Sequence, residues 1–246
     1  MKRTLDFLLS LIGLLLTSPI LLPVIFLVWI QDWHSPFYIA PRVGRREKMF
    51  KMVKLRSMII NADKSGVDST SSNDRRITWV GRFIRKYKLD ELSQLWNVLI
   101  GDMSLVGPRP NVKRETDLYT FEEKKLLTVK PGITDFSSIV FSDEGDILKD
   151  YDDPDIAYNQ LIRPGKSKLG IFYIEKRNII VDFQLIYLTV IAIISKEKAL
   201  VSITKILTNL GADNELILIA SRKNPLVPTP PPGAKNIVNN REGRVE

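Results

Sequence analysis

The chain has 246 residues, of which 44% are hydrophobic, and its formal net charge is +8. It contains no cysteine and one histidine, His34, which excludes disulfides, thiolate nucleophiles, cysteine-based zinc sites and histidine-dependent triads. Any catalytic group must therefore be a carboxylate, a hydroxyl or an amine, while the positive charge suits nucleic acid, anionic lipid and phosphorylated substrates equally well.

The first predicted element is a membrane helix. Residues 7 to 31 carry no charge, and as a helix they would extend about 37 Å, enough to cross a hydrocarbon core of about 30 Å. Ser18 and Pro19 interrupt this run, and basic residues lie on both sides of it. Two topologies stay open: a plain span, and a re-entrant helix, broken at Ser18-Pro19, that enters and leaves by the cytoplasmic face. The Ser18 hydroxyl can bond a backbone carbonyl that the proline leaves free.

A strand or hairpin arm follows, because residues 49 to 56 alternate between apolar and basic side chains. In an extended strand, Lys54 and Arg56 share a face. Residues 61 to 74 are rich in Ser and Asp, which predicts a mobile loop that could close over a substrate.

The most informative stretch, residues 85 to 110, reads RKYKLDELSQLWNVLIGDMSLVGPRP. Its apolar spacing predicts a short amphipathic helix that begins near Asp90 and stops before Gly101, with Asp90 and Glu91 in the first turn. Backbone N–H groups at a helix start favour negative charge and attract phosphate. A Gly-Pro-Arg-Pro turn then fixes Arg109, a side chain suited to gripping phosphate. These residues alone indicate an anion site at a helix start beside a membrane.

Three further segments are predicted downstream. Residues 115 to 130 indicate a polar helix that ends at a Pro-Gly turn. The acidic run 143 to 155 is typical of a solvated surface. Residues 179 to 194 are apolar but extend only about 24 Å as a helix, which favours a core helix or one lying in the membrane interface over a span.

The string that begins at Asp90, Asp-Glu-Leu-x-Gln-Leu-Trp-Asn-Val-Leu-x-Gly-Asp-Met-Ser-Leu-Val-Gly-Pro-Arg-Pro, closely resembles the signature of the bacterial sugar transferases. These are the monotopic phosphoglycosyl transferases, which move a sugar 1-phosphate from a UDP-sugar onto a polyprenol phosphate. The residues around Lys54 and the segment 130 to 134 also resemble that family. The resemblance covers roughly residues 2 to 135, is looser to 195, where ITDFSSIVFSDEGD departs from the usual family text, and is absent after about 205.

The resemblance implies a fold that is mainly α with a small β-hairpin, divided into three parts. Residues 1 to 34 would form the re-entrant membrane helix. Residues 35 to 205 would form a cytoplasmic catalytic domain with interfacial amphipathic helices. Beyond the resemblance, composition predicts that residues 206 to 246 form a C-terminal extension, rich in proline and disordered from about residue 223.

The resemblance also implies the chemistry. Asp90 would be the nucleophile that forms a covalent phosphosugar intermediate, and Glu91 would help hold Mg2+ or orient its water. Four cations would surround the substrate phosphates: Lys54, Arg56, Arg85 and Arg109. The partners would be a UDP-sugar, a polyprenol phosphate and the lipid bilayer, with a homodimer among the allowed assemblies and no nucleic acid. The protein would lie in the bacterial inner membrane with its active site facing the cytoplasm.

Two other functions compete with this one. The main alternative is a non-catalytic, membrane-anchored scaffold whose basic patch binds anionic lipid. A phosphotransferase acting on CDP-alcohols is disfavoured, because the Asp-Gly-x-x-Ala-Arg pattern of those enzymes is missing. The sequence does not specify which sugar is transferred.

Overall fold

The computed structural model describes residues 2–62, 70–71 and 73–240, which form a mainly helical protein with two small sheets. The helices of the first half are α1 (Lys2–Ile30), α2 (Trp79–Lys86), α3 (Leu89–Leu92), α4 (Leu95–Ile100) and α5 (Lys113–Thr116). Those of the second half are α6 (Phe136–Val140), α7 (Glu144–Ile147), α8 (Pro154–Ala157), α9 (Arg163–Lys176), α10 (Ile179–Ile194), α11 (Lys196–Asn209) and α12 (Asn214–Ser221). The strands are β1 (Phe37–Val43), β2 (Met49–Leu55), β3 (Ser104–Val106) and β4 (Gly132–Thr134).

Helix α1 is long and apolar enough to cross a membrane and continues through Ser18 and Pro19. The Ser18 hydroxyl donates to the Leu15 carbonyl at 2.7 Å, which is the carbonyl that Pro19 cannot pair with because it lacks an N–H. The predicted use of Ser18 is therefore confirmed, whereas the re-entrant topology stays a prediction.

The rest of the protein contacts α1 along most of its length. Near the start of the helix, Arg3 donates to the Leu99 carbonyl at 2.7 Å, and the Asp6 carboxylate accepts from the Ser104 hydroxyl at 2.9 Å. Further along, three apolar side chains pack against β2, α2 and α3: Leu21, Val24 and Val28. Helix α1 is thus part of the folded unit rather than a detached anchor.

Strands β1 and β2 form the predicted antiparallel hairpin, with Phe37 opposite Leu55 and Val43 opposite Met49. On the outer edge of β2, the buried Asn97 of α4 takes the place of a third strand. Its amide donates to the Lys51 carbonyl at 2.7 Å and accepts from the Val53 N–H at 2.9 Å. This pairing fixes α4, and with it α3, against β2.

The loop that carries Arg109 is held by the parallel pair β3 and β4. The Gly107 N–H donates to the Thr134 carbonyl at 2.9 Å, and the Gly132 N–H donates to the Pro108 carbonyl at 2.9 Å. A Cβ atom on Gly132 would lie 2.1 Å from the Gly107 nitrogen, so only glycine permits this close approach.

The largest core lies among α6 and α8 to α12. Helix α10 matches the predicted range, and it buries Val181, Leu185 and Leu188. Its other face exposes large apolar side chains, including Ile180, Phe183, Tyr187 and Ile194. Burial of one face and exposure of an apolar face suit a helix at a membrane interface, which stays a prediction.

A single polar helix over residues 115 to 130 is wrong. Helix α5 ends at Thr116, and a separate 3-10 helix covers Glu123–Thr128. The cause is a capping box: Thr120 N–H donates to the Glu123 carboxylate at 3.1 Å, and Glu123 N–H donates to the Thr120 hydroxyl at 3.1 Å. Glu123 is also buried, and its Oε2 atom lies 2.6 Å from the Nη2 atom of Arg163.

The C-terminal region differs from the expected extension. The predicted end of the catalytic domain at residue 205 falls inside α11, and Leu207 of that helix is buried in the main core. From 223 to 240 the chain has no helix or strand, but it follows a defined path rather than being disordered: Thr229 N–H donates to the Gln160 carbonyl at 3.1 Å, and Val238 is fully buried. Residues 241–246 lie outside the described residues, as do 63–69 and 72 of the predicted mobile loop.

We expect Asn97→Ala to lower the thermal unfolding temperature of the protein in detergent. The substitution leaves the Val53 N–H and the Lys51 carbonyl without partners, at a cost of about 1–3 kcal/mol for each buried group. Asn214→Ala, at an exposed position in α12, is the matched control and should change little. Equal unfolding temperatures for the two variants would mean that Asn97 does not fix α4 to the hairpin.

Candidate active site

A cavity of about 1070 Å³ opens beside the hairpin and the start of α3. Its lining includes every charged residue predicted for the site and three residues from the second half of the chain: Lys54, Arg56, Arg85, Asp90, Glu91, Arg109, Glu144, Tyr158 and Lys166. The volume is in the range of small-molecule binding sites, so the cavity is the candidate active site.

The two neighbouring carboxylates lie in the first turn of α3, as predicted, and each faces a cation. The Asp90 carboxylate lies 3.6 Å from the Lys54 ammonium group, and the Glu91 carboxylate lies 2.7 Å from the Arg109 guanidinium. The predicted helix reaches Gly101 but is divided into α3 and α4. Because α3 has only four residues, its dipole is small, and these cations are the main balance of the negative charge.

Glu91 and Arg109 each stabilise the charged form of the other. Burial alone would raise the pKa of Glu91, but Arg109, Lys54 and Lys88 outweigh burial and hold it at about 2. Glu91 in turn raises the pKa of Arg109 above its ordinary value. The pair is therefore ionised throughout the physiological pH range.

The other two cations of the site are partly desolvated. Burial, with repulsion from Arg109, lowers the pKa of Lys54, and burial lowers the pKa of Arg85. Arg85 lies in the last turn of α2, so its position depends on the residue at which that helix begins. Thr78 caps the helix by accepting from the Gly81 N–H at 2.9 Å, and a Cβ atom on Gly81 would lie 1.8 Å from the Ser57 carbonyl oxygen.

Arg56, which is expected to share a face with Lys54, lines the same cavity but is held by residues just after α1. Strand β2 ends at Leu55, and the Arg56 guanidinium turns to Asp32, with an Nη2–Oδ1 distance of 2.6 Å, and to the Ser35 carbonyl at 2.8 Å. Its hydrogen bonds lower the pKa of Asp32 to about 2. Arg56 is 8% exposed and joins the chain after α1 to the hairpin, and its phosphate-binding role stays a prediction.

Sequence reasoning missed Glu144, Tyr158 and Lys166 as cavity residues. Glu144 belongs to the acidic run that was expected to be solvated, yet it lines the cavity and is paired with Lys166. Tyr158 lies beside them, with the Lys166 ammonium group 5.3 Å from the centre of its ring. The sequence contains one signal for Glu144: the segment ITDFSSIVFSDEGD, in which it lies, departs from the sequence that is usual in the family the chain otherwise resembles.

The carboxylates are compatible with Mg2+. Among the described residues, no group of three or more acidic or histidine side chains could hold a metal ion. Mg2+ is commonly held by one or two carboxylates together with substrate phosphates, and Asp90 and Glu91 provide that donor set.

Comparison with known proteins identifies the family of the chain. The profile of the bacterial sugar transferase family matches residues 1–196. An undecaprenyl-phosphate galactose phosphotransferase of Salmonella typhimurium is 42% identical over 149 residues, covering 54% of this chain and 31% of that protein. A putative undecaprenyl-phosphate N-acetylgalactosaminyl 1-phosphate transferase of Bacillus subtilis is 44% identical over 133 residues, covering 54% of this chain and 70% of that protein.

A third relative matches a larger share of the chain. The UDP-N-acetylgalactosamine-undecaprenyl-phosphate N-acetylgalactosaminephosphotransferase of Aeromonas hydrophila is 31% identical over 197 residues, covering 79% of this chain and 44% of that protein. The chain thus spans less than half the length of the Salmonella and Aeromonas relatives. Because the family profile covers most of the chain, including both carboxylates and the cations that face them, this protein belongs to the bacterial sugar transferase family.

Proposed function

We propose that this protein transfers a sugar 1-phosphate from a UDP-sugar to a polyprenol phosphate, with release of UMP, at the cytoplasmic face of a bacterial inner membrane. The observation that carries the proposal is the gathering of Asp90, Glu91 and three cations in one cavity: Lys54, Arg85 and Arg109. The names of the Salmonella and Aeromonas relatives, which refer to phosphotransfer to undecaprenyl phosphate, support it.

The reaction proceeds in two displacements at phosphorus. A carboxylate oxygen of Asp90 attacks the β-phosphorus of the UDP-sugar, and the bond from that phosphorus to the bridging oxygen breaks, so that UMP leaves with the electron pair. A phosphate oxygen of the polyprenol phosphate then attacks the same phosphorus and releases the Asp90 carboxylate. The product is a polyprenol diphosphate sugar, and Asp90 returns to its starting state.

Each charged group has a separate task in this scheme. Arg109 binds the nucleotide phosphate, while Lys54 and Arg85 neutralise the transferred phosphoryl group. Glu91 orients Arg109 and, with Asp90, would hold Mg2+. When bound, Mg2+ neutralises diphosphate oxygens.

The packing of α1 supports a re-entrant, monotopic topology. Contacts with the remainder of the protein extend from Arg3 to Val28, a distance of about 37 Å along the helix. A helix perpendicular to a hydrocarbon core of about 30 Å could meet a cytoplasmic domain at one end only. We therefore assign both ends of α1 to the cytoplasmic side.

The elements around the carboxylates also fit a membrane surface. Helix α2 exposes Trp79 and Phe83, and α4 exposes Trp96 and Ile100, while both helices pack against α1. Exposed aromatic and aliphatic side chains of this kind suit the bilayer interface. Helix α3 lies between them in the chain, so Asp90 can meet a phosphate head whose lipid chain stays in the bilayer.

Asp90→Asn should reduce UMP release from the preferred UDP-sugar by about a thousandfold or more, because the amide is not a nucleophile. The assay uses purified protein, Mg2+ and a panel of UDP-sugars, with and without polyprenol phosphate. Asp117→Asn, at an exposed ion pair with Lys113, is the control and should retain activity. No UMP from any sugar with the unmodified protein would favour the membrane-anchored scaffold.

As the pH rises, kcat/KM should begin to fall at a pH below the one at which an ordinary lysine loses its proton. Lys54 has a lowered pKa, so its neutralising charge is present at low pH and is lost early as the pH rises. Lys54→Arg keeps the positive charge across this pH range and should move the alkaline limb of kcat/KM to higher pH. An identical limb in both proteins would remove Lys54 from the phosphate site.

The topology can be tested with single cysteines, since the chain has none. Thr4→Cys lies at an exposed position in the first turn of α1, and Lys48→Cys lies at an exposed position after the end of that helix. A membrane-impermeant maleimide should label both in inverted vesicles and neither in intact spheroplasts. Labelling of the two positions from opposite sides would show that α1 spans the bilayer.

A further inference from the structure

One wall of the active-site cavity carries polar groups that the proposed phosphate chemistry leaves unused. Glu144 at the start of α7, Tyr158 after α8 and Lys166 in α9 all line the cavity. The Lys166 ammonium group is paired with the Glu144 carboxylate and lies against the Tyr158 ring. Three neighbouring segments of the chain thus present one connected group to the cavity that Asp90 also lines.

This group lies next to the phosphate-binding cations. The Lys88 ammonium group donates to the Ser142 carbonyl at 3.2 Å, which joins the chain two residues before Asp90 to the chain two residues before Glu144. The charge of Glu144 also acts on both Arg85 and Arg109. In a UDP-sugar, the sugar is bonded directly to the β-phosphate, so a sugar whose phosphate lies between these arginines must lie close to Glu144.

The chemistry of Glu144 suits a sugar better than a phosphate. An ionised carboxylate only accepts hydrogen bonds, so it would repel a diphosphate but can accept from sugar hydroxyl groups. Lys166 and Arg109 hold the pKa of Glu144 below its ordinary value although burial opposes them. The side chain is 32% exposed, which leaves it accessible to a ligand in the cavity.

We propose that Glu144, oriented by Lys166 and flanked by Tyr158, recognises the hexose of the donor and determines which UDP-sugar is used; this rests on the proposed function. The Glu144 carboxylate accepts hydrogen bonds from the hydroxyl groups of the sugar, and Tyr158 supplies an aromatic surface and a hydroxyl group beside them. A site built around such hydrogen bonds rejects sugars that do not present a hydroxyl in the required position.

Binding measurements separate a sugar contact from a phosphate contact. They are made by calorimetry with Mg2+ on Asp90→Asn protein, which cannot form the covalent intermediate, with and without Glu144→Gln or Tyr158→Phe. The ligands are UDP and four UDP-hexoses: UDP-glucose, UDP-galactose and their N-acetylamino forms. Glu144→Gln should weaken the preferred UDP-hexose about tenfold or more, and Tyr158→Phe more mildly, while UDP binding changes less than about twofold.

The matched control is Glu215→Gln, which removes another glutamate paired with a lysine of α9, Lys168, outside this cavity. It should change neither UDP nor UDP-hexose binding. Equal weakening of UDP and UDP-hexose by Glu144→Gln would mean that Glu144 acts through the arginines, and no change in either would make the Glu144–Lys166 pair purely structural. Both results overturn the sugar assignment but leave the proposed function standing, whereas an Asp90→Asn parent that binds neither UDP nor any UDP-hexose overturns both.

Discussion

The site depends on the docking of the α3–α4 segment against the outer edge of β2. The Asn97 side chain completes the hydrogen bonds of this edge, and the Ser93 hydroxyl donates to the Val53 carbonyl at 3.1 Å. Lys54 follows Val53 directly and Asp90 precedes Ser93 by one helical turn, so the same docking brings the ammonium and carboxylate groups together. Because side chains alternate along a strand, a shift of one residue would turn Lys54 to the other face and separate the pair.

The same strand also sets the position of the site relative to the membrane helix. Arg56 lies two residues beyond Lys54 and holds Asp32 just after the end of α1, while Arg3 and Asp6 hold the other end to α4 and β3. These contacts therefore fix the position of the carboxylates relative to the apolar helix. In the proposed reaction this matters because the acceptor keeps its chain in the bilayer, so the nucleophile has to stay at the depth of its phosphate head.

The sequence predicted those parts of the protein whose local pattern matches their structure. Alternation in β2, the apolar spacing after Asp90 and the uncharged run of α1 all identify real elements. It failed where a distant partner decides the outcome: Arg56 is held by Asp32, Glu123 is buried against Arg163, and Glu144 of the acidic run is paired with Lys166 of α9. Period and spacing contain no information about such partners. The path of residues 223 to 240 escaped prediction for the same reason, since Val238 finds its burial against the folded domain.

The pairing of Asp90 and Glu91 with cations has a consequence for the proposed reaction. Lys54 faces Asp90 and Arg109 faces Glu91, so each carboxylate offsets one cation of a cavity whose lining still carries more cations than carboxylates. A donor diphosphate must compete with these carboxylates for the same cations. In the proposed reaction, a phosphoryl group that drew Lys54 toward itself would leave the Asp90 carboxylate without its counterion and make it a better nucleophile beside the phosphorus. The Lys54–Asp90 pair would thus couple donor binding to activation of the nucleophile.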